Sequence, residues 1–185
     1  NTALMPEAGF ITEEGSATYQ DEPYSWVIDP LDGPTNYIHD EAPYCVSIAL
    51  RSRIELLLGV VYEVCRDECF YAWKGGKAFM NGEEIHVSNV EDIIDAFVIT
   101  ELPYNHLQYK QTALHLIDQL YGVVGGIRMN GSAAAAICYV AIGRFDAWME
   151  ALLAKWHNSA AALLVQEEGG NVTDIYGEDH LIEGD

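Results

Sequence analysis

Ser25-Trp26-Val27-Ile28-Asp29-Pro30-Leu31-Asp32-Gly33-Pro34-Thr35-Asn36 is the stretch on which the reading of this chain turns. Its first four residues read as a buried strand, ending at Asp29-Pro30 because proline cannot donate to a sheet ladder. Two carboxylates then follow, three residues apart, on a glycine-containing loop. A turn of this kind can aim Asp29, Asp32 and the Leu31 carbonyl at one point. Such an all-oxygen set suits a hard cation such as Mg2+. Asp-Pro-x-Asp-Gly is also an ordinary β-turn pattern, so the stretch needs company elsewhere in the chain before it means a site. Upstream, Glu13-Glu14-Gly15 supplies a further acid.

Working outward, Tyr44 to Leu50 and Ile54 to Val64 are β-rich runs separated by Arg51-Ser52-Arg53, which predicts a hairpin. Cys65-Arg66-Asp67-Glu68 turns the chain into Cys69-Phe70-Tyr71-Ala72-Trp73. Asn81-Gly82 is a two-residue hairpin signal ahead of Glu84-Ile85-His86-Val87. The first part of the chain therefore reads as an antiparallel meander. After Phe97-Val98-Ile99-Thr100 the texture changes. Leu107, Leu114, Ile117 and Leu120 fall at helical spacing before Gly122. Ser132 to Ile142 is apolar all round and predicts a buried helix between Gly131 and Gly143. Phe145 to Glu150 is a short strand, Asn158 to Glu168 a further Ala/Leu helix closed by Gly169-Gly170, and Val172-Thr173 the start of another strand. Strands first, then alternating helices and strands, predict a layered α/β or α+β protein. The Gly122–Gly126 region divides the chain into lobes 1–122 and 123–185.

The 185 residues hold 9 Lys and Arg against 29 Asp and Glu, a net charge of −20, with half of all residues apolar. Half apolar content excludes global disorder. The charge disfavours a nucleic-acid backbone or an anionic membrane surface as partner, since both call for Lys and Arg. It leaves room for an anionic substrate bridged by cations. No stretch approaches about 18 uninterrupted apolar residues, so no transmembrane helix is expected. Asn1-Thr2-Ala3-Leu4 lacks the basic and apolar regions of a signal peptide. Cys45, Cys65, Cys69 and Cys138 have no zinc-finger spacing and read as reduced thiols, which predicts a cytoplasmic protein.

Two further constellations accompany the acidic loop. Trp156-His157 opens the helix that runs to Glu167-Glu168-Gly169-Gly170; taken alone, His157 reads as a cap or surface residue rather than a ligand. Asn130-Gly131-Ser132-Ala133-Ala134 is a Gly-Ser turn opening a helix, whose N–H groups serve either an N-cap or an anion.

Taken in order, these pieces resemble the inositol monophosphatase family of metal-dependent, Li+-sensitive phosphatases. The match is carried by Phe10-Ile11-Thr12-Glu13-Glu14, Trp26 to Gly33 with Thr35-Asn36-Tyr37, and Phe79-Met80-Asn81-Gly82. It continues through Gly131-Ser132-Ala133-Ala134, Asp146-Ala147 with Glu150, and Trp156 with Ala160, Glu167 and Gly169-Gly170. The resemblance implies a layered α/β/α/β/α sandwich of the sugar phosphatase type, here without the family's usual N-terminal helices and C-terminal end. It implies Mg2+-dependent hydrolysis of inositol monophosphate or a similar polyol or sugar phosphate, by a homodimer. Carried over residue by residue, Glu13, Asp29 and the Leu31 carbonyl hold one metal. Asp29, Asp32 and the residue after the tryptophan, His157, hold a second. Glu13, Asp29 and Asp32 are the catalytic residues; Gly33 and Thr35 meet the phosphate, and Gly131, Ser132, Ala133 and Glu150 the polyol.

Two departures from the family pattern bear on the chemistry. The family has threonine where this chain has Pro34, which offers neither a hydroxyl nor an N–H. The family has aspartate where this chain has His157; imidazole accepts Mn2+ or Zn2+ better than Mg2+. Thr12 and Glu168 are milder changes. The resemblance thus implies a phosphatase impaired by Pro34 and His157, or alternatively an inactive member that binds metal or a phosphorylated ligand.

Overall fold

The structure is a computed structural model that describes residues 5, 7–12, 22–102, 106–150, 159–174 and 176–178. Seven strands form one sheet in chain order: β1 (Ala8–Thr12), β2 (Tyr24–Asp32), β3 (Cys45–Ser52), β4 (Leu56–Glu63), β5 (Glu68–Trp73), β6 (Ala78–Met80) and β7 (Glu83–Glu84). β1 lies parallel to β2, and each later pair is antiparallel, so the meander expected from the hairpin signals is present. Asn81 and Gly82 both adopt positive φ, 50° and 90°, as a tight two-residue hairpin requires. β2 does not end at Asp29-Pro30 as expected but continues to Asp32. β7 is two residues long, and Val172 and Thr173 lie in irregular backbone rather than starting a strand.

The large sheet alternates small and large side chains rather than apolar and polar ones. One register row runs Val27–Ala49–Gly59–Ala72–Ala78 across five strands. The rows on the opposite face run Trp26–Leu50–Leu58–Trp73 and Ile28–Ile48–Val60–Tyr71–Phe79. The row of small residues leaves a trough, and the helix α4 (Ser159–Glu167) settles into it with Ser159 to Val165 all buried. At the closest approach, a Cβ on Gly59 would stand 2.4 Å from the Ala160 carbonyl oxygen. Backbone cannot give way as a side-chain tip can. Gly59→Ala is therefore expected to cost about 1–3 kcal/mol through overpacking, read as a lower midpoint in urea.

The helix α3 (Ala133–Ala141) packs beside α4 and is likewise buried around almost its whole circumference. It also touches a second, three-stranded sheet of parallel strands ordered β10-β8-β9, from β8 (Phe97–Glu101), β9 (Gly126–Arg128) and β10 (Ala147–Glu150). The α3–α4 pair thus forms the middle layer of a sheet–helix–sheet sandwich. The expected layered α+β class is what the chain adopts. The division at Gly122 falls between β8 and β9 of that small sheet, and α2 (Lys110–Leu120) lies within the connection. Gly75 N–H donates to Glu167 at 3.0 Å and Ala78 N–H to Glu168 at 2.7 Å, so these two acids staple the end of α4 to the β5–β6 turn. Among the described residues no helix is long and apolar enough to cross a membrane.

Candidate active site

In a regular strand, residues three apart point to opposite faces. Asp29 and Asp32 should therefore diverge, yet both are buried, at 4% and 8% exposure. The register explains it. Asp29 pairs with Ser47 and Asp32 with Cys45, so three steps on β2 match two on β3. The extra residue is a β-bulge at Pro30-Leu31, where a missing ladder N–H costs nothing. Ser25, Val27 and Asp29 point inward, Pro30 is exposed, and Asp32 comes back inward. The Leu31 N–H donates to Asp29 Oδ1 at 3.0 Å and holds the bulge in shape.

Gly33 follows with φ 82°, in the left-handed region, and starts the short helix α1 (Pro34–Ile38). A side chain there would press on the Pro43 and Gly131 carbonyls at 3.0 and 3.2 Å. Pro34 stands at the first helical position, where its lack of an N–H is structurally harmless. Thr35 is exposed on the same turn. Asn36 reaches across the sequence: its Nδ2 donates to the Pro43 carbonyl at 2.8 Å and to the Asn130 carbonyl at 2.7 Å. Gly131, with φ 75°, lies so close that a Cβ would meet Asn36 Oδ1 at 2.7 Å.

The second carboxylate meets the start of α3. Ser132 caps that helix, its Oγ accepting from the Ala135 N–H at 3.3 Å. The same hydroxyl donates to Asp32 Oδ2, which also accepts the Ala134 N–H at 3.0 Å. The positive end of α3 thus stabilises a buried anion carried on another element. Cys45 Sγ is 3.7 Å from Ser132 Oγ. Burial first, and then the Asp32 charge, push the Cys45 thiol well up. It stays protonated and is no nucleophile.

The far wall comes from the small sheet. Ligands of open parallel sheets sit beyond the carboxyl ends of the strands, and at those ends Glu101 of β8 and Glu150 of β10 are register neighbours. Glu101 accepts the N–H groups of Asn130 and Gly131 at 3.1 Å each. Burial pushes the Glu101 carboxyl up from the usual carboxylate range, and these two N–H groups pull it partly back.

Residues 2–184 match the model of the inositol monophosphatase family. The chain belongs to that family. Its relatives include a Nus factor SuhB of Pseudomonas aeruginosa, 41% identical over 96% of this chain and 65% of that protein. An inositol-1-monophosphatase of Mesorhizobium japonicum is 34% identical, over 96% of this chain and 67% of that one. Among solved structures, the extragenic suppressor protein suhB of Bartonella henselae superposes with a TM-score of 0.92 and 36% identity, covering 98% of this chain and 70% of that one. The chain spans about two thirds of the length of these family members.

Within this inositol monophosphatase fold, the structure brings Asp29, Leu31, Asp32, Gly33, Ser132 and Ala133 to one place, with Gly131 beside them and Glu150 on the adjoining sheet. Glu13 and His157 lie outside the described residues. Among the described residues no three His, Cys, Asp or Glu side chains gather closely enough to hold an ion. The two acids that are described nonetheless suit a hard cation: both are buried, both offer only oxygen, and one bulge turns them to the same face. Two contributors escaped the sequence reading. Asn36 was read within the motif without a role, and Glu101, one residue beyond Phe97-Val98-Ile99-Thr100, has nothing local to single it out; its partners lie about thirty residues on.

Proposed function

We propose that this chain is a metal-dependent phosphomonoesterase acting on inositol monophosphate or a similar polyol or sugar phosphate. The bulge that turns Asp29 and Asp32 to one buried face, against the start of α3, is the observation that carries the reading. Family membership supports it. In this reading Glu13, Asp29, the Leu31 carbonyl and Asp32 hold Mg2+, and His157 adds a ligand that favours Mn2+ or Zn2+. A bound cation neutralises phosphate charge, lowers the pKa of water and steadies the leaving oxygen. The chain's own residues do the rest. Glu13 orients the attacking water, and Ser132 and Ala134 fix Asp32 in one rotamer. The backbone at Gly33, with Thr35, meets the phosphate, while Gly131, Ser132, Ala133 and Glu150 meet the polyol. A homodimer, on the strength of the resemblance, and a cytoplasmic location, on the reading of the cysteines as reduced thiols, complete the reading.

A second reading, a family member that binds but does not hydrolyse, is favoured by Pro34. It sits at the first position of α1 without N–H or hydroxyl, so the fold keeps its shape while the site loses two donors. The two readings separate in one assay: Mg2+-dependent phosphate release from inositol 1-phosphate by this chain and by Pro34→Thr/His157→Asp. The double variant is expected to be faster by about 100-fold or more, since one transition-state donor alone is worth that much. Equal rates would remove both residues from the chemistry. No release from either would sink inositol phosphate hydrolysis and leave binding.

A further inference from the structure

The turn that opens α3 is held from both sides. Asn36 takes the Asn130 carbonyl at 2.7 Å. Glu101 takes the Asn130 and Gly131 N–H groups, its Oε1 at 3.1 Å from each and its Oε2 at 3.3 Å from Gly131. The next residue, Ser132, donates to Asp32. The end of β8 is therefore linked to the second acid of the site through one short stretch of backbone, hydrogen-bonded to Glu101 at Asn130 and Gly131 and to Asp32 at Ser132. Glu101 reaches that turn from the small sheet, whereas Asn36 and Asp32 belong to the large sheet and its extension. The turn also carries Asn130 Nδ2, buried with no hydrogen-bond partner among the described residues. A turn with one donor already unsatisfied has little to spare if its backbone N–H groups lose their acceptor.

We propose that Glu101 is a positioning residue of this site. Its carboxylate fixes the Asn130–Ser132 turn so that Gly131, Ser132 and Ala133 present one fixed surface to substrate. The assignment rests on the hydrolytic reading above only for its kinetic part. The Gly131 N–H is already engaged by Glu101, so what this turn offers a polyol is not that N–H. Glu101 itself touches no reacting atom in this scheme; it acts through the turn.

The test compares this chain with Glu101→Ala and Glu101→Gln, by amide hydrogen exchange and by phosphate release from inositol 1-phosphate. Release is followed both in the parent and in the Pro34→Thr/His157→Asp background. With alanine, exchange at Asn130 and Gly131 is expected to rise about 10-fold or more, with the β4 amides keeping their protection. KM is expected to rise about 10-fold with kcat within about 3-fold, the loss of a buried acceptor appearing in binding. Glutamine retains one acceptor oxygen and is expected to recover most of both changes. A contact that merely supports the fold would lower kcat through lost active enzyme and leave KM in place; that outcome overturns the positioning role. Unchanged exchange at Asn130 and Gly131 overturns it regardless of turnover. If exchange rises while neither background releases phosphate, the latch stands and the hydrolytic reading is what falls.

Discussion

On the proposed hydrolytic reading, Asp29→Asn is expected to lower Mg2+-dependent phosphate release from inositol 1-phosphate by about 1000-fold or more, equivalent to about 4 kcal/mol of lost transition-state stabilisation. The change is nearly isosteric. Asparagine keeps an oxygen to accept the Leu31 N–H, the contact that shapes the bulge, so the fold is expected to persist with an unchanged melting midpoint. What goes is the negative charge at a position 4% exposed, where nothing of the same hardness replaces it. The measurement is best made in the Pro34→Thr/His157→Asp background, where the signal is largest, with circular dichroism as the control on structure. A rate within about 10-fold of the parent would mean that Asp29 holds no cation during turnover.

Asp32→Ala strikes stability as well as chemistry. It leaves the Ser132 hydroxyl and the Ala134 N–H buried with their acceptor gone. At about 1–3 kcal/mol for each orphaned donor, a loss of about 3 kcal/mol is expected. For a chain of this size that corresponds to a fall of about 6–12 °C in melting midpoint. Asp32→Asn, which keeps an oxygen for one donor, should lose less than half as much while abolishing activity equally. The comparison separates the acceptor from the charge. Were alanine to cost under about 1 kcal/mol, α3 would not depend on Asp32 for its start, and the coupling between helix and site would fail.

Much of the fold was legible because local chemistry decides it. Asn81-Gly82 specifies its turn whatever surrounds it, and the Ala-rich run after Ser132 has no polar face to leave in water. The large sheet was legible as strands but not as faces. In Cys45-Val46-Ser47-Ile48-Ala49-Leu50 the alternation is small against large, which marks period two without saying which side a helix will cover. That depends on α4, more than a hundred residues later. The site was legible by its residue types and, through the resemblance, by their order. Its geometry was not. Asp29-Pro30 reads locally as a strand end, and only the pairing of β2 with β3 turns it into a bulge within a longer strand. Glu101 illustrates the same limit, since its function is defined by two N–H groups on a distant turn.

The bulge has an evolutionary corollary. Whether Asp29 and Asp32 share a face is set by the parity of the steps between them, corrected by one residue left out of the pairing. Substitutions at Pro30 or Leu31 leave that parity alone. Loss of either residue would restore regular pairing as far as Ser47 and Cys45, put Asp32 two residues after Asp29, and release the kink that feeds Gly33. Gain of one residue would turn Asp32 to the opposite face, with every acid still in place. Descent with a conserved motif is therefore no guarantee of a conserved site here. The length of the segment between the acids is inherited information in its own right.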